Sequence, residues 1–139
     1  MSLSPDEREL VGQWILSARS DLLFAEGEPP DGVMYEQPSF HAQQAAEKAL
    51  KALLLYLDDD PPRLHEIDVL VDLVRRHVAV PGDLLEAAAL TAYAVVTRYP
   101  PFITVLTKEQ WQSATRTARR VFEWVEGQLA PPAEPPAQE

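Results

Sequence analysis

Apolar residues recur at steps of three and four along most of the chain, and no stretch alternates apolar and polar positions long enough to propose a strand, so the pattern predicts an all-α protein. In the first segment Leu10, Val11, Trp14, Ile15, Ala18, Leu22 and Ala25 fall on one stripe that other helices would cover. Its start is marked by Ser4-Pro5-Asp6-Glu7, where serine can cap, proline suits the first turn and Glu7 completes a capping box. Its expected end is Gly27, as a left-handed stop.

Residues 28–38, rich in proline and turn formers, read as a connecting loop, with Ser39 capping the next helix. In that helix Ala42, Ala45, Ala46, Ala49, Leu50, Leu53, Leu54 and Leu57 form a wide apolar face, which marks it as the central helix. Asp58 to Asp60 with Pro61 and Pro62 end it. A short helix is expected over Glu66 to Arg76, with Ile67, Leu70, Val71 and Val74 inward. A fourth is expected from Asp83 to about Arg98, with Leu84, Leu85, Ala88, Ala89, Ala92, Val95 and Val96 apolar and Pro100 as its stop. The last begins at Thr107, which forms a T-x-x-Q box with Gln110, and carries Trp111, Ala114, Ala118, Val121, Phe122, Val125 and Leu129. Residues 1–130 thus read as one helical domain, and 131–139 as a proline-rich tail with almost nothing to bury.

Composition narrows the function. With 22 acidic against 12 basic residues the net charge is −10, which repels a phosphate backbone at long range and argues against DNA binding. The chain has no cysteine, so disulfides, thiolate metal sites and cysteine nucleophiles are excluded. The polar, acidic N-terminus is unlike a signal peptide, and no apolar run approaches the ~20 residues of a membrane span. A cytoplasmic location without membrane contact is the expectation.

The densest run of chemically capable residues is Ser39-Phe40-His41-Ala42-Gln43-Gln44-Ala45-Ala46-Glu47-Lys48. On a helix His41, Gln44, Lys48 and Lys51 share a side and form a ridge suited to phosphate or a partner's carboxylate. The competing reading leaves Lys48 and Lys51 solvated, with Gln44 and His41 bonded locally. At Arg98-Tyr99 a helix is expected to end, and there a guanidinium can fork onto phosphate and a tyrosine can stack on a base. Equally, Arg98 can serve the helix dipole or pair with an acid such as Asp21. His41, His65 and His77 lack the spacing of helical zinc ligands, so no metal is expected. In Leu64-His65-Glu66 the histidine reads as a cap or a packed surface residue.

Three features together resemble the HEPN domain family: Ala18-Arg19-Ser20-Asp21-Leu22 with Ala25, the run Ser39 to Lys48 continuing through Leu54, and Arg98-Tyr99-Pro100 before a Thr-capped last helix. Leu64-His65-Glu66 adds to the match, which spans roughly residues 5 to 129. The resemblance implies an up-and-down four-helix bundle with an additional short helix, and a homodimer. It also implies pairing with a minimal nucleotidyltransferase as toxin and antitoxin, the HEPN protein being open to modification with AMP. The nucleotide binding associated with the family would fall on His41, Gln44, Lys48, Arg98 and Tyr99, supported by Asp21, Glu47 and His65; no cofactor is implied. Catalytic members are metal-independent RNases in which an arginine is followed after four to six residues by a histidine. Arg98 matches the arginine, but Ile103, Thr104 and Val105 stand where the histidine would fall and cannot transfer a proton. Three readings therefore compete: a binding module, an RNase with a displaced histidine, and a plain scaffold.

Overall fold

The computed structural model describes residues 3–90 and 106–129, and every regular element among them is helical. Helix α1 spans Pro5–Glu26, α2 Glu36–Tyr56 and α3 Ile67–Arg75. A 3₁₀ helix follows over Gly82–Leu90, and α4 spans Lys108–Leu129. The remainder of the expected fourth helix, including Arg98 and Tyr99, and the tail from residue 130 lie outside the described residues.

Both expected capping boxes form. The Glu7 amide donates to Ser4 Oγ at 3.1 Å and the Ser4 amide to Glu7 Oε1 at 2.9 Å. Those bonds, the one from the Ser4 amide foremost, hold the Glu7 carboxyl below its usual value. Before α4 the Thr107 and Gln110 pair repeats the design at 2.8 and 3.1 Å.

Two boundaries differ from expectation. Gly27 does end α1, but with φ −76° and ψ 142°, extended and not left-handed, and Pro29 restricts Glu28 after it to extended backbone as well. Helix α2 starts at Glu36, so Ser39 is no cap: it lies within the first turns, fully buried. Pro38 is compatible with this earlier start because the first turn has no intrahelical use for its missing N–H. The buried Glu36 carboxylate accepts from the Leu106 amide at 2.7 Å and so ties the start of α2 to the entry of α4.

At its far end α2 closes through Asp58, at φ 61°, with the Asp59 amide donating to the Leu54 carbonyl at 2.9 Å. The 3₁₀ helix buries Leu84, Ala87 and Leu90, a step of three that matches its three residues per turn. Leu85, expected inward on an α-helical reading, therefore faces outward, 48% exposed. Leu10 on α1 is likewise exposed and not part of the buried stripe.

Helix α2 is the centre, as expected. It packs against α1, α3, α4 and the 3₁₀ helix. Its Ala42, Ala45, Ala46, Ala49 and Ala52 are fully buried, and such small side chains let neighbouring helices approach closely. Ala18, Leu22 and Ala25 of α1, Ile67, Leu70 and Val74 of α3, and Ala118, Val121 and Val125 of α4 complete the core. Ser17 meets Lys48 and Asp21 meets His41, so α1 and α2 run antiparallel. Glu26 meets Arg119 and Arg19 meets Glu126, so α4 is also antiparallel to α1. The Glu26 contact raises the basicity of the Arg119 guanidinium above its ordinary value, first through hydrogen bonding. Trp111 Nε1 donates to the Ala25 carbonyl at 2.6 Å, closing the same seam with Tyr35 stacked on the indole at 5.3 Å.

Candidate functional site

Antiparallel packing of α1 on α2 assembles the first polar cluster. Lys48 Nζ donates to Asp21 Oδ2 at 2.7 Å and to Ser17 Oγ at 2.8 Å, while His41 Nδ1 lies 3.0 Å from Asp21 Oδ1. Each oxygen of Asp21 thus has its own donor, and the ammonium is drawn inward: Asp21 and Lys48 are only 13% and 26% exposed. A carboxylate this enclosed needs such partners, since desolvation without them is costly. With Nδ1 held, His41 keeps Nε2 for an external group. The exposed Phe24 ring lies 4.4 Å from the imidazole, tilted by 51°, and the Phe40 ring meets the same imidazole edge-on at 6.2 Å.

On another side of α2, at the same level, is a second cluster. Buried Glu47 accepts from Gln43 Nε2 at 2.9 Å and Lys51 Nζ at 3.0 Å, and its two oxygens lie 2.9 and 3.1 Å from His65 Nδ1. Gln43 also donates to the His65 carbonyl at 3.4 Å, which pins the loop between α2 and α3. Trp14 of α1 covers Lys51, whose ammonium is 5.9 Å from the ring centroid. The His65 imidazole stays 59% exposed, anchored through one nitrogen with the other on the solvent side.

The ridge expected from helical spacing is therefore split. His41 and Lys48 join Asp21, Lys51 turns inward to Glu47, and Gln44 enters neither network among the described residues. Nor are the two lysines solvated, as the competing reading had it: both are consumed by carboxylates. Asp21, expected as a supporting residue, pairs with Lys48. His65 is no helix cap, since the residue at the α3 cap is Glu66. His77 pairs with Asp59 at 2.9 Å, so each of the three histidines sits on an acid. No group of three His, Cys, Asp or Glu side chains fit to hold a metal occurs among the described residues.

Sequence reasoning missed Ser17, Phe24 and the bond of Gln43 to Glu47, and it assigned Lys51 to the ridge with Lys48 when it turns inward to Glu47. Phe24 carried a signal: it is a large aromatic one position off the buried stripe of Leu22 and Ala25. Ser17 carried none, because a half-buried serine is ordinary on any helix. A cavity of about 650 Å³ opens at the opposite end of the bundle, beside Arg8, Tyr56 and Asp58, and touches none of the nominated residues. No described helix is long and apolar enough to cross a membrane.

The chain matches no curated protein. Among solved structures it is similar to TT1696 from Thermus thermophilus, with 34% identity and a TM-score of 0.75 over 84% of this chain and 96% of that one. It is also similar to ST0689, described as an archaeal HEPN homologue, with 31% identity and a TM-score of 0.69 over 86% of this chain and 98% of that one. The model of the HEPN domain matches residues 11–128, a span that contains both polar clusters and the central helix that builds them. On sequence and fold alike, this chain belongs to the HEPN domain family.

Proposed function

We propose that this HEPN protein is a binding module, the partner of a minimal nucleotidyltransferase in a toxin-antitoxin-type pair, acting in the cytoplasm as a homodimer. The face formed by Phe24, His41 and Lys48 receives the partner or the nucleotide it handles. The observation that carries this reading is the prearranged Asp21–His41–Lys48 cluster beside an exposed aromatic ring. Phe24 offers a stacking surface for a base, and the free edge of His41 a polar contact next to it. Lys48, already bound to Asp21, serves as the brace that holds the imidazole's acid in place. Arg98 and Tyr99 belong to the same proposal from sequence alone, Tyr99 as an acceptor of AMP.

The test is co-expression with a minimal nucleotidyltransferase encoded beside this chain, followed by size exclusion and mass spectrometry, with isothermal titration of ATP and AMP. Co-elution, or an AMP adduct, supports the reading, and His41→Ala should weaken the contact. Absence of a complex at micromolar concentrations counts against it.

The Glu47–His65 pair favours a second reading, a metal-independent RNase with a displaced histidine. A buried carboxylate that fixes Nδ1 and leaves an exposed imidazole edge is the arrangement of a general base. Metal-free RNA cleavage lost on His65→Ala and on Arg98→Ala would establish it.

A further inference from the structure

Between the end of α1 and the loop that leads to α2 lies an apolar slot of about 260 Å³. Leu23 and Phe24 line it from α1, Pro29, Pro30 and Val33 from the loop, and Pro38 from the start of α2. Phe24 also lies against His41, so the slot adjoins the Asp21–His41–Lys48 cluster.

The slot is built before any occupant arrives. Residues 30–33 form a turn in which the Val33 amide donates to the Pro30 carbonyl at 3.0 Å and Gly32 takes φ 86°, a value open to glycine without strain. Tyr35, stacked on Trp111 of α4, donates its hydroxyl to Glu28 at 3.4 Å and so ties the two ends of the loop together. A wall fixed in this way loses little freedom on binding. Its hydrocarbon nevertheless faces water: Leu23, Phe24, Val33 and the neighbouring Met34 are 40% to 59% exposed, a grouping that marks an interaction surface.

The chemistry of the walls selects the occupant. Proline brings no N–H, so Pro29, Pro30 and Pro38 donate nothing to a phosphate or to the polar edge of a base, and polar atoms buried there unmatched are costly. At about 260 Å³ the slot is also smaller than the ~300–1,000 Å³ pockets that enclose small ligands, and it suits one large side chain. The charge around it is negative. Glu28 lines the slot and Asp31 stands in the turn, neither in an ion pair among the described residues. From residue 20 to residue 47 the chain contains no lysine or arginine, and Arg119, which reaches this end of α1 from α4, is committed to Glu26. A cation brought by the partner has two free carboxylates to meet.

We infer that the slot is the anchor point for a protein partner: it takes one large apolar side chain, of leucine, methionine or phenylalanine, from a segment that carries lysine or arginine beside it. With the anchor seated, the basic neighbour meets Glu28 or Asp31, and the segment runs on past Phe24 to the open edge of His41. This inference rests on the partnered reading proposed above and states what that partner presents.

The probe is the nucleotidyltransferase encoded beside this chain, titrated by calorimetry against the unmodified protein and two double variants. Leu23→Glu/Val33→Glu puts carboxylates at exposed positions of the wall and should weaken the complex about 30-fold or more, with unchanged helical circular dichroism. Glu28→Lys/Asp31→Lys should weaken it about 10-fold in low salt, a deficit that shrinks as salt is raised. Among overlapping peptides of the nucleotidyltransferase, those that bind should pair Leu, Met or Phe with an adjacent Lys or Arg. Leu85→Glu, exposed on the 3₁₀ helix, should bind like the unmodified chain. Undiminished affinity in both double variants overturns the slot while leaving the partnered reading standing. Binding of AMP that is abolished by Leu23→Glu/Val33→Glu would make the occupant a nucleotide and overturn the inference as well. No complex with the unmodified chain at micromolar concentration overturns both the slot and the partnered reading.

Discussion

Glu47 Oε2 accepts from Lys51 Nζ at 3.0 Å, one turn along the same helix, with both side chains almost wholly buried. Attraction between two such charges seldom exceeds the cost of desolvating them, so what makes the pair tolerable is that Gln43 and His65 meet the remaining acceptor positions. Removing one member strands the other. Glu47→Gln is expected to cost about 3–5 kcal/mol in urea unfolding. Glu47→Leu/Lys51→Met should cost clearly less than the sum of its single changes; simple additivity would show that the two residues do not act as a unit.

The first cluster separates stability from binding. Asp21→Asn leaves a half-buried ammonium without its acid and should lower stability by about 1–3 kcal/mol, less than a fully buried pair because solvent screens part of the charge. His41→Ala removes only the outer member and should cost less than about 1 kcal/mol while weakening the proposed contact. Thermal melting beside titration of the partner or nucleotide distinguishes the two, and equal effects of both variants on both readouts would contradict the assignment.

Acid should loosen the start of α1. The Glu7 carboxyl is held below its ordinary 4.5 in the folded chain, so its contribution is complete above that value and is lost as pH falls through the lowered one. Glu7→Gln keeps the capping geometry but cannot titrate. Between pH 6 and 3 the stability of this variant should fall less steeply than that of the unmodified chain when both are followed by denaturant titration.

Trp111 spans the seam between α4 and α1. Trp111→Phe retains most of the ring but leaves the Ala25 carbonyl without its donor, for an expected loss of about 1–3 kcal/mol in chemical unfolding. A variant as stable as the original would mean that the tyrosine stack alone closes the seam.

Gly12→Ala is expected to strengthen α1. It should stabilise the chain by about 0.5–1 kcal/mol, because the added methyl meets no neighbour and glycine weakens a helix interior. Thermal melting checks this, and a variant that melts no higher than the unmodified chain would contradict it.

Much of this architecture was legible in the residues because helical periodicity and capping chemistry are local. Ser4 with Glu7 and Thr107 with Gln110 form the bonds their spacing predicts, and the alanine-rich face of α2 lies at the centre. Errors arose where distant segments decide. Ser39 looked like a cap, yet the tie between Glu36 and Leu106, seventy residues apart, favours an earlier start. Lys48 and Lys51 looked like one ridge, yet Asp21 and Glu47 draw them to different sides, and no reading of α2 alone supplies Asp21. Leu85 faced the wrong way because the segment coils with a period of three where 3.6 was assumed.

Helix α2 carries both polar clusters and the middle of the core on different sides of a single rod. Inserting or deleting one residue between His41 and Lys51 would turn everything beyond it by about 100°. That would swing Lys48 away from Asp21, expose part of the alanine face and bury whatever replaced it. Length in this helix is therefore constrained more tightly than residue identity. Natural variants of this chain should accumulate substitutions along α2 but confine their insertions and deletions to the connecting segments at residues 27–35 and 57–66.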